Sequence, residues 1–187
     1  ITNFYIYKLY KKLHTLKTFS FIIINLFFFT NLFAQHSISI HAEIFSKENE
    51  LHVEQEIEYE NNTNDTLNFI ILNDWNNAYS SKNSALAKRF SDEYIRNFHL
   101  AKEKERGFTS ILSINDSNFE KLNWERPHNQ IDLLKIFLSK PILPNSSQKI
   151  ILKYILKLPH EKFTKYGYSD EGKSTLKNSF ISISKYE

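Results

Sequence analysis

The most suggestive chemical pattern in the sequence is a histidine followed by a glutamate, in the run His160-Glu161-Lys162-Phe163-Thr164. The zinc peptidase motif H-E-x-x-H places two imidazoles four residues apart on one helical face, and its glutamate activates water. Here the fifth position is a threonine, and Pro159 directly before the run marks the end of a predicted strand. The run therefore predicts no zinc site.

Other patterns of reactive residues are equally incomplete. The triplet His41-Ala42-Glu43 resembles half of a deaminase zinc site, but the chain contains no cysteine to supply the remaining ligands. His41 and His52 lie on neighbouring predicted strands and could face each other, although two histidines on a wet strand face are more often plain surface residues. Three scattered glycines cannot form a phosphate-binding loop. We therefore predict no catalytic residue and no metal ligand in this chain.

One stretch, residues 72–84, combines aromatic with hydrogen-bonding side chains between a predicted strand and a predicted helix. Its candidate recognition residues are Asp74, Trp75, Asn76, Asn77 and Tyr79. Under one interpretation they form a recognition loop, since binding residues concentrate on loops held by a rigid scaffold. Under the other, Trp75 and Tyr79 close the edge of the sheet while asparagine and serine side chains cap the following helix.

The first 35 residues have the pattern of a secretory leader. Lysines between Lys8 and Lys17 precede an apolar run from Phe19 to Ala34, and polarity returns at Gln35. This order predicts a hydrophobic leader helix, a signal peptide cleaved after Ala34 or Gln35. An uncleaved membrane anchor is the alternative. Positive charge before the apolar run keeps that end in the cytoplasm, so both interpretations predict that the rest of the chain is exported.

The net charge of the chain changes once the leader is set aside. The whole chain carries a formal charge of +3, but residues 1–35 hold four lysines and no acidic residue. The remainder has 20 basic and 21 acidic residues. This balance gives no electrostatic basis for nucleic-acid binding.

Residue periodicity indicates a mainly β domain over residues 36–172. Period-two alternation predicts a hairpin and four further strands, at Ser37–Phe45, Leu51–Tyr59, Leu67–Leu72, Phe108–Ile114, Ile131–Leu138 and Gln148–Leu158. Helical spacing of apolar residues predicts one amphipathic helix within Ser80–His99. We expect an antiparallel β-sandwich with that helix inserted. Residues 173–187 form a tail of uncertain structure, in which Phe180, Ile181 and Ile183 could form a short strand.

Four segments give the chain a resemblance to a known family. They are LNDWNNAYSSKNSALAKRFSDEY (72–94), HLAKEKERGFTSI (99–111), LNWERP (122–127) and LPHEKFTKYGY (158–168). Together they resemble the N-terminal domain of aminopeptidase-N-like (gluzincin) zinc metallopeptidases, in particular the exported form found in Bacteroidota. The resemblance covers residues 36–172.

The resemblance implies a saddle-shaped β-sandwich that packs on a separate catalytic domain and forms part of the wall of its substrate cleft. In that family the zinc ligands belong to the catalytic domain, so this chain would need no cofactor and would be inactive alone. Its partner would be that domain of the same polypeptide, with peptide substrates bound only by the full-length protein. The chain has no methionine, and Ile1 is not an ordinary start, so we expect a fragment of such a protein.

Two other functions remain open. The chain could be a free-standing exported β-sandwich that binds a partner or a glycan through the Trp75–Tyr79 loop. It could also be a membrane-anchored structural domain with no specific ligand.

Overall fold

A computed structural model describes residues 36–184. The predicted leader, with its cleavage region at Ala34 and Gln35, lies outside the described residues, as do residues 185–187. Strands make up 45% of the structure and helices 13%, which confirms the predicted mainly β class.

The described residues form ten strands, two short α-helices and two 3-10 turns. The strands are β1 (Ser37–Phe45), β2 (Glu50–Glu60), β3 (Leu67–Asn73), β4 (Phe108–Asp116), β5 (Trp124–Glu125), β6 (Leu133–Ile142), β7 (Ser147–Lys157), β8 (Gly167–Tyr168), β9 (Ser174–Thr175) and β10 (Ser182–Ile183). The helices are α1 (Ala85–Asp92) and α2 (Asn97–Leu100), and the 3-10 turns are Trp75–Tyr79 and Glu103–Glu105. Within this part of the chain, no helix is long and apolar enough to cross a membrane.

The first sheet has the strand order β1-β2-β7-β4, and each neighbouring pair is antiparallel. The predicted hairpin is confirmed, because β1 and β2 pair without interruption from Ser37 opposite Glu58 to Phe45 opposite Glu50. Asn49 makes the tight connection with φ of 55°, a left-handed conformation that asparagine adopts more readily than most residues.

The second sheet has the strand order β10-β3-β6-β5 and is also antiparallel. One apolar cluster fills the space between the two sheets. From β2 and β7 it contains Leu51, Val53, Ile57, Ile150, Leu152, Tyr154 and Leu156; from β3 and β6 it contains Ile70, Leu72, Leu134 and Ile136. The two facing layers with a shared core confirm the predicted antiparallel sandwich.

The outer face of the first sheet is ionic. Three cross-strand pairs join β2 to β7, namely Glu54–Lys153 at 2.5 Å, Glu56–Lys149 at 2.9 Å and Glu50–Lys157 at 3.3 Å. Such exposed pairs contribute little to stability. They do indicate that this face is solvent-exposed, because packing another domain on it would desolvate all of these charged side chains.

The amphipathic helix is confirmed over α1, but it ends earlier than the periodicity predicts. Ser84 caps its start by accepting a hydrogen bond from the Ala87 N–H at 3.1 Å. At its end Tyr94 takes φ of 58°, and the Ile95 N–H reaches back to the Phe90 carbonyl oxygen at 2.7 Å. This Schellman motif closes the helix although no glycine is present, and α2 follows as a separate turn.

The C-terminal segment belongs to the sandwich rather than to a separate tail. β10 pairs with β3, which gives the strand that Phe180, Ile181 and Ile183 suggested. Ile181 is only 1% exposed. The buried Gln55 side chain donates to the Ile181 carbonyl oxygen at 2.6 Å and accepts from the Tyr154 hydroxyl at 2.5 Å. These contacts extend the domain beyond Gly172, to residue 184 at least.

Candidate functional site

The predicted recognition loop folds as a 3-10 turn whose side chains mostly point into the domain. Asp74 is 1% exposed, Asn76 is fully buried, and Asn77 and Tyr79 are each 7% exposed. Trp75 differs, because 52% of it faces solvent. The structure thus brings the five candidate residues together, and the Trp75 indole is the one that is largely exposed.

Asp74 is held from three sides. One carboxylate oxygen, Oδ1, accepts from the Thr109 hydroxyl at 2.7 Å and from the Asn77 N–H at 3.4 Å. The other, Oδ2, accepts from Nη2 of Arg126 at 2.7 Å. Burial raises the pKa of the Asp74 carboxyl above its ordinary value, and the Arg126 charge opposes that rise. The ion pair therefore holds β3, β4 and the segment after β5 together at the cost of desolvating a charge.

Asn76 joins the chain segments at the same end of the sandwich. Its Nδ2 donates to the Phe108 carbonyl oxygen at 2.7 Å and to the Lys157 carbonyl oxygen at 3.2 Å. Its Oδ1 accepts from the Tyr166 hydroxyl at 2.8 Å. Both ends of a fully buried amide are thereby satisfied, as burial of a polar group requires.

Asn77 and Tyr79 extend this network. Asn77 donates from Nδ2 to the Ile131 carbonyl oxygen at 2.6 Å, and its Oδ1 accepts from the Thr109 N–H at 3.2 Å. The Tyr79 hydroxyl lies 2.6 Å from the Thr164 hydroxyl, and burial raises the pKa of Tyr79. These contacts act on the backbone and on neighbouring hydroxyls, so they position the loop rather than expose groups for chemistry.

The network contains residues that the sequence did not single out, notably Thr109, Arg126, Thr164 and Tyr166. Asp74 lies in a segment that was predicted to pack against a sheet edge, and a buried carboxylate requires a cationic partner. The sequence could therefore have predicted that an arginine or lysine pairs with Asp74. It could not choose among the arginines of the chain, because the partner lies 52 residues away in sequence.

Trp75 borders a shallow pocket of about 200 Å³, lined also by Tyr79, Thr164, Tyr166, Lys177 and Asn178. Among the described residues, the lining contains three aromatic rings, one cation and no acidic residue. The Tyr79 and Thr164 hydroxyls bond to each other, and the Tyr166 hydroxyl donates to Asn76. The pocket can offer ring surfaces and an ammonium group to a ligand, but it holds no paired nucleophile and base.

The histidines of residues 36–184 lie at several places in the fold, and none of them is fully buried. His41 lies opposite Glu54 and His52 lies opposite Glu43, so the two imidazoles are diagonal neighbours rather than directly facing partners. His160 occupies a turn, with Nε2 at 3.3 Å from Oδ1 of Asp170. Across residues 36–184, no group of three or more histidine, aspartate or glutamate residues has a geometry that could hold a metal ion.

No family model matches the chain. No curated protein matches it either. Several solved structures are similar to this chain, among them two M1 zinc metallopeptidases. One is a two-domain M1 zinc metallopeptidase mutant bound to L-tryptophan, with 10% identity and a TM-score of 0.34. The other is an M1 zinc metallopeptidase mutant from Deinococcus radiodurans bound to a Tyr-Ser-Ala substrate, with 10% identity and a TM-score of 0.35. Each alignment covers 66% of this chain, which spans 19% of the length of either metallopeptidase.

Proposed function

We propose that this chain is the non-catalytic N-terminal domain of an exported zinc metallopeptidase of the aminopeptidase type. It packs against a catalytic domain of the same protein and shapes the substrate cleft of that domain. Zinc and peptide substrate belong to the full-length protein, and membrane contact would occur only through an uncleaved leader.

The observation that carries this proposal is the convergence of the four family-like segments on one buried network. Asp74, Thr109, Arg126 and Tyr166 come from the four different segments. Asp74 accepts hydrogen bonds directly from Thr109 and Arg126, and Asn76 links Tyr166 to Thr109. The residues that carry the resemblance are thus those that hold the sandwich together. A domain that serves as a scaffold depends on this kind of residue, whereas an enzyme also places reactive groups in a cleft.

The distribution of charge and apolar surface indicates where the catalytic domain would lie. The ionic outer face of the first sheet is suited to water. At the end that holds the buried network, Trp75 and Leu176 are 52% and 38% exposed. Exposed apolar groups gathered at one end of a domain are typical of an interaction surface. We place the interface with the catalytic domain there.

The proposal is tested by the gene and by the enzyme it encodes. The DNA that follows the codon for Glu187 should encode, in one of its three frames, an H-E-x-x-H motif with a further glutamate downstream. The 187-residue chain should not hydrolyse aminoacyl anilides, whereas a polypeptide that also contains the downstream domain should do so until a chelator removes zinc. Chelator-sensitive hydrolysis by the 187-residue chain would contradict the proposal, as would intact downstream genes without the motif.

A second candidate function is ligand binding through Trp75, favoured by the half-exposed indole at the rim of its pocket. Aromatic rings beside the lone lysine of the lining suit a ligand that combines a ring with a negative charge. An acidic oligosaccharide such as oligogalacturonate has both features.

If this second function is correct, Trp75→Ala should weaken oligogalacturonate binding at least about fivefold, as expected for loss of one aromatic contact worth about 1–3 kcal/mol. Isothermal titration of the exported chain measures it. Phe119→Ala is the matched control, since Phe119 is an exposed aromatic residue outside this pocket. Equal affinity for Trp75→Ala and the wild type, or no binding by either, would exclude the pocket as a site for such a glycan.

A further inference from the structure

Strand β1 is an open edge of the first sheet, and the other sheet covers it poorly. Ile38, Ile40 and Ile44 lie on the same face as the core residues of β2, yet they are 43%, 40% and 59% exposed. Their counterparts on β2 are buried. Among residues 36–184, β1 therefore pairs with β2 alone and leaves the backbone groups of its outer side unpaired, and it presents a row of apolar side chains along its inner face.

The other sheet edges of the described residues are protected, but β1 is not. β5 and β10 have only two residues each, and β4 carries a register shift between Ile111 and Ser113. Short strands and bulges discourage pairing with another chain, as do lysine, proline and inward-facing charges. β1 has nine residues, an unbroken register and none of those residue types on its inner face. An edge of this kind is a template for another strand.

The sequence of β1 is complementary to itself. When two copies of Ser37–Phe45 pair antiparallel over their full length, His41 lies at the centre opposite its own counterpart. The inner face then pairs Ile38 with Ile44 and Ile40 with Ala42, which makes a continuous apolar row across the junction. On the outer face Glu43 lies opposite Ser39, so no acidic residue faces another.

We propose that β1 is a dimerisation edge, through which two copies of this chain join their first sheets into one eight-stranded sheet with His41 at the twofold axis. Main-chain hydrogen bonds supply part of the association, and the apolar row fixes the register, because a shift of one residue would place isoleucine on the wet face. The contact is small, so we expect a concentration-dependent equilibrium rather than a permanent dimer. This inference does not depend on the proposed metallopeptidase function.

Single-cysteine cross-linking tests the register, because the natural chain contains no cysteine. In the paired strands the Cα atoms of position 41 lie about 5 Å apart, within the range of a disulfide. Position 37 lies about 27 Å from its copy, eight residues away along the strand. The full chain, exported through its own leader and treated with a mild oxidant, should form a reducible dimer when it carries His41→Cys. With Ser37→Cys the dimer should be at least tenfold less abundant.

Two lysine variants distinguish loss of the apolar contact from a general effect of added surface charge. Added to His41→Cys, Ile40→Lys should reduce the cross-linked dimer at least tenfold, because it places a charge in the apolar row. Ser39→Lys adds the same charge on the wet face opposite Glu43 and should leave the dimer unchanged. Protease resistance of the exported chains verifies that both variants are folded. Equal cross-linking at positions 37 and 41, no dimer with His41→Cys, or cross-linking to a different protein would each overturn the proposal.

Discussion

The Asp74→Ala variant should lose about 3 to 5 kcal/mol of unfolding free energy, the usual result of removing one partner from a buried ion pair. The side chain of Asp74 is fully buried and that of Arg126 is only 18% exposed, so neither group reaches water freely. Truncation leaves Arg126 without its counter-charge and the buried Thr109 hydroxyl without its acceptor. Urea denaturation of the purified chain, followed by far-UV circular dichroism, measures the loss.

Two further variants separate the loss of the buried Asp74 charge from the loss of its hydrogen-bond acceptor and from the general effect of an Asp→Ala substitution. Asp92→Ala makes the same substitution at an exposed position and should change stability by no more than about 0.5 kcal/mol. Asp74→Asn keeps an acceptor oxygen for Thr109 and should cost less than Asp74→Ala, since burial already disfavours the charged carboxylate. Because the folded-state pKa is raised, the wild type should lose stability relative to Asp74→Asn as the pH rises through that pKa. A wild-type-like Asp74→Ala would show that the network does not stabilise the fold.

The Gly167→Ala variant should destabilise the domain by roughly 3 kcal/mol or more, at or above the upper end for a strained backbone position. Gly167 has φ of 114°, and a Cβ there would overlap the carbonyl oxygen of Pro159. That oxygen accepts a hydrogen bond from the Tyr168 N–H at 2.9 Å. Backbone atoms form the obstacle, so no side-chain rotation relieves the clash. A thermal melt of the purified chain reports the effect as a large fall in Tm.

Gly172→Ala is the matched control for Gly167→Ala. Gly172 also has a positive φ, 76°, but a Cβ there would meet no atom within 4 Å. It should cost only the conformational penalty of about 1 to 2 kcal/mol. If both variants destabilised the domain equally, the close approach between Gly167 and Pro159 would not be the cause.

The strands of the sandwich were the most predictable part of the fold. The alternation of apolar and polar residues in β1 and β2 predicted the limits of both strands to within one residue. Successive side chains of a strand point to opposite faces, so a half-buried strand alternates between apolar and polar residues. Helix α1 was less predictable. Its apolar spacing continues to Phe98, but the Schellman motif at Tyr94 ends the helix, and no glycine or proline marks that position.

The role of the Asp74–Tyr79 loop was harder to predict from the sequence. Composition alone was compatible with recognition or with structure, since asparagine and aromatic residues serve both purposes. The partners that determine the role lie 35, 52 and 90 residues away along the chain, at Thr109, Arg126 and Tyr166. Four of the five loop residues are buried because of these partners, and only Trp75 remains available for recognition.

Local patterns in the sequence were enough to predict a mainly β domain, its six longer strands and the apolar side of the hairpin strands; the two-residue strands β5, β8 and β9 were not predicted. These properties are local, since each follows from neighbouring residues and the geometry of an extended chain. Three features required the folded structure: the edge that β1 leaves open among residues 36–184, the contact of two of the three glycines with Pro159, and the pairing of the Asp74 carboxylate with Arg126. Those properties arise from contacts between distant segments, and no short stretch of sequence encodes such contacts.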